Sequence, residues 1–163
     1  MLENIQKLII DKLSEEALVS VEETGLQPAL IVNKNYLEAI AFLLRDTEGF
    51  YFDFLSNITA VDYYPENRFT LVYHIASIPY QTQIVLKVHL EHERDADQLP
   101  ELPSVAAVWR TADWHEREAF DLMGIFFTGH PDMRRILLPD DWDGFPLRKD
   151  YQESEMYHGI AIK

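Results

Sequence analysis

Three carboxylates stand close together in the segment that carries most of the candidate reactive groups: Glu116, Glu118 and Asp121. Paired carboxyl groups can act as a general acid and a general base. Acidic residues near a helix start also interact favourably with the helix dipole, and they can pair with Arg117. Charged helix faces are common and perturbed carboxylates are rare, so we favour the structural interpretation.

A second candidate site combines His115, Glu118 and His130. His115 and Glu118 stand three residues apart in a predicted helix, and His130 follows downstream, so the three form a candidate metal site. The sequence contains no HExxH pattern that would support it. Because lone histidines are more often structural or lie on the surface, a metal-dependent enzyme is kept only as an alternative.

Four cations cluster in the last third of the chain: Arg134, Arg135, Arg148 and Lys149. One interpretation is that they are solvated and pair with Asp140, Asp141 and Asp143. Arginine also forms bidentate bonds with carboxylates of a partner protein. Trp142 and Phe145 lie in the same segment, and aromatic residues beside arginine are typical of protein interfaces. The composition therefore favours an interface over a hydrolase pocket.

Composition excludes several other classes of function. The formal charge of −14 argues against a nucleic-acid or anionic-membrane surface. The chain has no cysteine, so it cannot hold iron–sulfur clusters or zinc through thiolates. It also lacks GxGxxG, P-loop and GxSxG motifs. No apolar run approaches the roughly 20 residues of a membrane span, and the start lacks the features of a signal peptide. These observations predict a cytosolic protein.

The elements that must position these residues can be predicted locally. Asp113 is expected to cap a helix, with Glu116 reaching back to the cap, and Gly124 is expected to end it. Arg117 and Asp121, four residues apart, are expected to share a face. Beyond the turn at 129–131, Asp132 is predicted to cap a helical turn over 133–138. Residues 145–150 are predicted to be extended, because a proline disfavours helix at the residue before it.

The rest of the chain predicts one α+β domain. Periodicity indicates a helix over 2–13, strands over 17–24 and 28–32, a helix over 35–45 capped by Asn35, and strands over 50–55, 58–64, 69–75 and 83–90. Residues 91–102 are predicted to form a solvated loop, and Ser104 to cap a short helix through Trp109. The fold class is a mixed or antiparallel sheet with helices packed on one face. We expect this domain to cover residues 1–150, followed by an extended tail over 151–163.

The segment from 114 onward resembles a known family, the C-type or 30 kDa subunit of the proton-pumping NADH:quinone oxidoreductase (respiratory complex I). The resemblance covers about the last third of the chain strongly. It implies that the characteristic positions hold the helix against the following loop and against neighbouring subunits. These family positions are Glu116, Arg117, Glu118, Asp121, Leu122, Gly124, His130, Arg134, Ile136, Leu137, Trp142, Pro146, Leu147, Arg148, Lys149 and Asp150.

The resemblance implies a cofactor-free structural subunit of the hydrophilic, peripheral arm. The complex would be the enzyme, transferring electrons from NADH to quinone coupled to proton translocation. This chain would carry no catalytic, cofactor-binding or metal residues, and flavin and iron–sulfur clusters would lie in partner subunits. Implied partners are the quinone-site (D-type) and cluster-bearing (B-type) subunits, with no nucleic acid and no direct membrane insertion. The location would be cytoplasmic, on the cytoplasmic face of the cell membrane through the complex.

Two alternatives stay open at this point. One is the equivalent subunit of a ferredoxin-, F420- or hydrogenase-linked relative. The other is a stand-alone metal- or carboxylate-dependent enzyme that uses His115, Glu116, Glu118 and His130. Such an enzyme predicts a pocket with converging polar side chains. A scaffold predicts an exposed apolar patch, together with a tail beyond Tyr151 that lacks internal partners and lies across a partner subunit.

Overall fold

The computed structural model describes residues 1–24, 27–94 and 98–161. It contains helices α1 (Leu2–Lys12), α2 (Leu37–Asp46) and α3 (Ala112–Met123). Its strands are β1 (Leu18–Glu22), β2 (Ala29–Val32), β3 (Phe54–Asp62), β4 (Arg68–Ser77), β5 (Thr82–Glu91), β6 (Glu101–Pro103), β7 (Phe126–Thr128), β8 (Met156–Tyr157) and β9 (Ile160–Ala161).

Five strands form the main sheet in the order β1-β2-β5-β4-β3. The neighbours are antiparallel except for the parallel pair β2 and β5, so the sheet is mixed. Side chains alternate along each strand. On β4, Leu71 and Tyr73 are fully buried in the core, whereas Val72 and His74 are half-buried on the opposite face.

All three helices contribute to one hydrophobic core. Ile5 and Ile9 of α1, Leu44 of α2 and Met123 of α3 pack into the same cluster as the inward side chains of the sheet. Burial of apolar side chains is the main favourable contribution to folding, so this shared cluster joins the helices to the sheet. The predicted α+β fold is confirmed.

The start of α2 differs from the prediction. Asn33, rather than Asn35, accepts a hydrogen bond through its side chain, from the Asn35 amide at 3.0 Å. That bond opens a short 3-10 turn over Lys34–Tyr36, and α2 follows at Leu37 without a side-chain cap. The predicted cap at Asn35 is therefore wrong, since the capping side chain lies two residues earlier.

The segment predicted as a solvated loop over 91–102 is partly structured. Glu101 begins β6, which pairs in parallel with β7. The Arg94 side chain is largely buried and binds Asp62 and Asp150, while residues 95–97 lie outside the described part of the chain. The helix predicted after Ser104 is only a turn over 106–108, although the Ser104 hydroxyl does accept from the Ala106 amide at 3.1 Å.

The end of the chain forms a small antiparallel hairpin of β8 and β9. Tyr157 donates its hydroxyl to Asp141 at 2.9 Å, and Nε2 of His158 lies 2.6 Å from the same carboxylate. The Tyr157 ring also lies 5.3 Å from the Trp142 ring, centre to centre. The prediction that residues beyond Tyr151 lack internal partners is therefore wrong. The domain boundary at residue 150 stays a prediction.

None of the helices in residues 1–24, 27–94 and 98–161 is both long enough and apolar enough to cross a lipid bilayer.

Candidate functional site

Helix α3 carries the first candidate residues, and its start differs from the prediction. The residue before the helix is Thr111, which makes no side-chain capping bond. Asp113 lies inside the first turn, where its Oδ1 lies 2.7 Å from Nη2 of Arg117. The predicted cap at Asp113 is wrong for this reason. Gly124 does end the helix, in the left-handed conformation at φ 65°, as predicted.

Glu116 is fully buried and does not reach back to its own helix start. Its Oε2 accepts from the Ser104 hydroxyl at 2.6 Å, and its Oε1 accepts from the Val105 amide at 2.7 Å. Burial raises the pKa of Glu116 to about 7, although the bonds from Ser104 and Val105 act in the opposite direction. The predicted capping box is wrong, because this carboxyl group instead holds the turn that follows β6.

His130 ties the loop after β7 to the first turn of α3. Its side chain is fully buried, and its Nδ1 accepts from the Asp132 amide at 3.0 Å. The ring proton therefore sits on Nε2, which lies 3.1 Å from the Asp113 carbonyl and 4.0 Å from Oε2 of Glu116.

The described residues contain no group of three His, Asp or Glu side chains that could hold a metal ion. Glu118 is exposed, so the candidate metal site of His115, Glu118 and His130 does not form there.

Asp121 is the second buried carboxylate of α3, and it organises the following loop. Its Oδ2 accepts from the amides of residues 136–138 at 2.7–3.0 Å, and its Oδ1 lies 2.8 Å from Nη1 of Arg135. Burial alone would raise the pKa of Asp121, but these donors lower it overall.

Two predictions about this region are wrong. Asp121 does not pair with Arg117, and Asp132 caps no helical turn over 133–138 but bonds Arg134 at 2.9 Å.

Two of the four clustered cations point inward. Arg135 also donates to the carbonyl oxygens of Trp142 and Gly144, at 3.2 and 3.1 Å. Arg148 donates from Nε to the Met123 carbonyl at 2.7 Å and from Nη2 to the Gly124 carbonyl at 3.0 Å. A cation there satisfies carbonyls that the helix end leaves unbonded. Neither arginine shows the surface pairing with Asp140, Asp141 and Asp143 that was the alternative interpretation, and both guanidinium groups bind groups within this chain.

Residues 145–150, which were predicted to be extended, are folded into turns. The Arg148 amide donates to the Phe145 carbonyl at 3.1 Å, which closes a turn around Pro146. The Lys149 amide donates to Asp62 on β3 at 2.8 Å. Asp150 lies 3.2 Å from Nη1 of Arg94, which also binds Asp62. Asp62 and Arg94 were missed by sequence reasoning, because no local pattern links them to residues so far away.

The inward contacts leave several apolar side chains on α3 and its flanking loops exposed. Trp114, Leu137 and Leu147 are 60%, 61% and 59% exposed, and the Arg117 guanidinium stacks 4.2 Å from the Trp114 ring centre. Trp114 lies on the same stripe of α3 as Glu118 and Leu122, at four-residue spacing. The Leu137 amide binds Asp121, and the Leu147 amide binds the Leu122 carbonyl at 3.0 Å. We call this set, Trp114, Glu118, Leu122, Leu137 and Leu147, the α3 outer surface.

The close approach of the 145–150 segment to α3 predicts a strict need for glycine at position 124. A Cβ added to Gly124 would lie 2.5 Å from the Phe145 ring and 2.6 Å from Nη2 of Arg148. The left-handed backbone alone disfavours alanine by about 1–2 kcal/mol. Gly124→Ala is expected to lower the free energy of unfolding by at least that amount, measured by urea titration. Gly129→Ala is the control, since it has a similar φ of 81° but open space around it. Equal losses in the two variants would contradict the role of this contact.

The comparisons with known proteins agree on one family. The family described as respiratory-chain NADH dehydrogenase, 30 Kd subunit, matches residues 30–157. The C-type subunit of NADH-quinone oxidoreductase from Chloroherpeton thalassium is 45% identical over 149 residues, which are 90% of this chain and 60% of that protein. The same subunit of Moorella thermoacetica is 47% identical over 125 residues, 77% of this chain and 80% of that one. The counterpart in Geotalea uraniireducens is 42% identical over 156 residues, which are 93% of this chain and 89% of that protein.

A solved structure shares the fold. It is the membrane-bound sulfane sulfur reductase, an archaeal respiratory membrane complex, one chain of which matches with a TM-score of 0.72 and 24% identity. The match covers 92% of this chain and 85% of that one. This chain spans about 60% of the length of the Chloroherpeton relative. Because the family match covers most of the chain and includes the α3 segment, the protein belongs to the family of the 30 kDa subunit of respiratory-chain NADH dehydrogenase.

Proposed function

We propose that this chain is a cofactor-free structural subunit of the hydrophilic arm of an NADH:quinone oxidoreductase, and that it docks through the α3 outer surface. The observation that carries this proposal is the way the family positions divide between inward and outward orientations. Glu116, Asp121, His130 and Arg148 are turned inward and fix the backbone of α3 and its two flanking loops. Leu137 and Leu147 are held outward on those loops.

Inward hydrogen bonds that fix α3 and its flanking loops suit a subunit that must hold neighbouring subunits in place. Electron transfer between clusters depends steeply on distance, so a subunit that prevents cluster-bearing neighbours from shifting contributes to activity without catalytic residues. The anchoring bonds of Asp121 and Arg148 are buried or half-buried, where hydrogen bonds to charged groups are strong. The apolar side chains of the α3 outer surface are therefore presented in a fixed geometry.

Charge indicates the chemistry of the partners. The chain carries a formal charge of −14, and Glu118 stands exposed within the α3 outer surface. A complementary partner surface would combine an apolar centre with basic residues. We propose the quinone-site (D-type) and cluster-bearing (B-type) subunits as the partners that supply it. Through them the chain would lie on the cytoplasmic face of the membrane.

A pair of matched substitutions tests the docking surface. Leu137 and Val19 are aliphatic and 61% and 63% exposed, but Val19 lies on β1, outside the α3 outer surface. Leu137→Asp is expected to weaken binding to the purified quinone-site and cluster-bearing subunits roughly tenfold or more, because a charge would replace an apolar contact. Val19→Asp is expected to leave the affinity within about twofold. Binding is measured by calorimetry or interferometry with both variants at equal folded concentration. Equal affinities for the two variants would exclude the α3 outer surface as the site.

The cofactor-free assignment has its own test. The chain lacks cysteine, and the described residues offer no cluster of three His, Asp or Glu groups for a metal. Freshly purified protein is expected to show no visible absorption band and less than about 0.1 metal ion per chain, since the chain has no thiolate and the described residues hold no such cluster of donors. The measurements are a visible spectrum and elemental analysis. A flavin band or a stoichiometric metal would overturn the assignment.

A further inference from the structure

Glu116 helps to fix the backbone around α3, but the docking proposal makes no use of its ability to gain or lose a proton. It is fully buried on the inner face of α3, and its neighbour Tyr73 on β4 is also fully buried. The Tyr73 hydroxyl finds no hydrogen-bond partner among the described residues. Its burial and its proximity to Glu116 both raise the pKa of Tyr73 well above the usual value, so this phenol stays neutral. The carboxyl group therefore faces an environment that stabilises charge poorly.

We propose that Glu116 is a buried proton-binding site, and that gain or loss of its proton rearranges the hydrogen bonds of the turn at residues 104–106. The ligand is a proton exchanged with water, and no electron transfer is involved. The inference concerns the chain itself and does not depend on the docking proposal.

No lysine or arginine among the described residues compensates the charge of Glu116. Among the described residues, His130 is the only one of the residues Lys, Arg and His with a side-chain nitrogen within 4.0 Å of the Glu116 carboxylate. Its ring is neutral as bonded, because Nδ1 accepts from a backbone amide. Arg117 binds Asp113 and stacks over Trp114 instead. A buried carboxylate without an ion-pair partner takes up a proton more readily than an exposed one.

The groups around Glu116 act on its pKa in both directions, and those that raise it prevail. Burial is the largest influence on the pKa of Glu116, the negative charge of Asp113 on the same helix also raises it, and the net value is about 7. Only the two neutral donors at Ser104 and Val105 lower it. Tyr73 on β4 contributes a neutral hydroxyl.

The hydrogen-bond pattern can accommodate both states. In the ionised state the Ser104 hydroxyl donates to Oε2, and Ser104 Oγ accepts from the Ala106 amide. A hydroxyl oxygen has two acceptor sites, so the protonated carboxyl group can donate to the second one after the Ser104 hydroxyl rotates away. The Val105 amide then faces a neutral oxygen, and its bond weakens. The proton goes onto Oε2, and one O–H···O bond reverses its direction.

The test is a pH titration of the full chain by nuclear magnetic resonance with carboxyl-labelled glutamate. One glutamate signal is expected to titrate about two pH units above the others. The Val105 amide signal is expected to shift with the same midpoint. Glu116→Gln should remove both transitions, whereas Glu118→Gln, on the exposed side of the same helix, should leave them in place.

A second variant keeps the test decisive if Glu116→Gln fails to fold. Ser104→Ala removes a donor that favours the ionised form, so the midpoint of the upper transition should rise. The proposal is overturned if every glutamate signal titrates in the ordinary acidic range. It is also overturned if the upper transition survives in Glu116→Gln, or if Ser104→Ala leaves its midpoint unchanged.

Discussion

Asp121→Ala is expected to lower the free energy of unfolding by about 3–5 kcal/mol, the usual cost of removing one partner of a buried ion pair. The substitution removes the acceptor of three consecutive amides at residues 136–138. It also leaves Arg135, whose side chain is largely buried, without its carboxylate. No neighbouring group among the described contacts of this loop replaces so many bonds at once.

The measurement is urea-induced unfolding followed by circular dichroism. Asp140→Ala is the matched control, since Asp140 is exposed on the same loop. We expect a change within about 0.5 kcal/mol for it, as for most surface substitutions. Asp121→Asn should fall between the two, because an amide oxygen can still accept but the charge is lost. If Asp121→Ala were as stable as Asp140→Ala, the loop would have to be held by other contacts.

Stability is expected to fall as pH rises through the neutral range because of Glu116. Its folded-state pKa is raised from 4.5 to about 7 by burial, so the folded state binds this proton more tightly than the unfolded state. The stabilisation is present at low pH and is lost as pH rises through about 7. From about pH 5 to about pH 8 the contribution of this one group changes by roughly 2–3 kcal/mol.

Other groups change the free energy of unfolding with pH in the opposite direction. The effect of Glu116 is therefore measured by comparing the wild type with a Glu116 variant. Asp62 and Asp121 have lowered pKa values, and their contributions are lost as pH falls through the acidic range. The difference in unfolding free energy between wild type and Glu116→Gln isolates the single group. That difference should shift in favour of the variant by roughly 2–3 kcal/mol between pH 5 and pH 8. A difference that is constant with pH would show that Glu116 does not change its protonation in this range.

Local patterns predicted most of the larger elements, although the two strands predicted over 50–55 and 58–64 form one strand, β3. Helix periodicity placed α1 and α2, alternation placed β4 and β5, and the glycine at position 124 marked the end of α3. These signals depend on neighbours within a few residues, which the sequence displays directly. The sequence left open whether the sheet is mixed or antiparallel, and the parallel pair of β2 and β5 makes it mixed.

Local rules assigned several polar side chains to the wrong partners, because their true partners lie far away in the sequence. Local rules paired Glu116 with its own helix start and Asp121 with Arg117. The structure instead joins Glu116 to the turn after β6 and Asp121 to amides 15–17 residues later. Asp62 reaches the amide of Lys149 across 87 residues. Such partners are set by how elements pack, so helix spacing cannot indicate them, and the family resemblance indicated the positions without their geometry.

The proposal that this chain is a structural subunit of an NADH:quinone oxidoreductase is tested most directly by purification of the native assembly. The full chain, tagged and produced at its natural level, is isolated from gently solubilised membranes, and the purified material is assayed for NADH-dependent quinone reduction. The proposal predicts that the chain is recovered in a stoichiometric assembly with the quinone-site and cluster-bearing subunits, and that this assembly reduces quinone with NADH. Recovery of the chain alone would contradict it, as would an assembly that accepts electrons from ferredoxin, F420 or hydrogen but not from NADH.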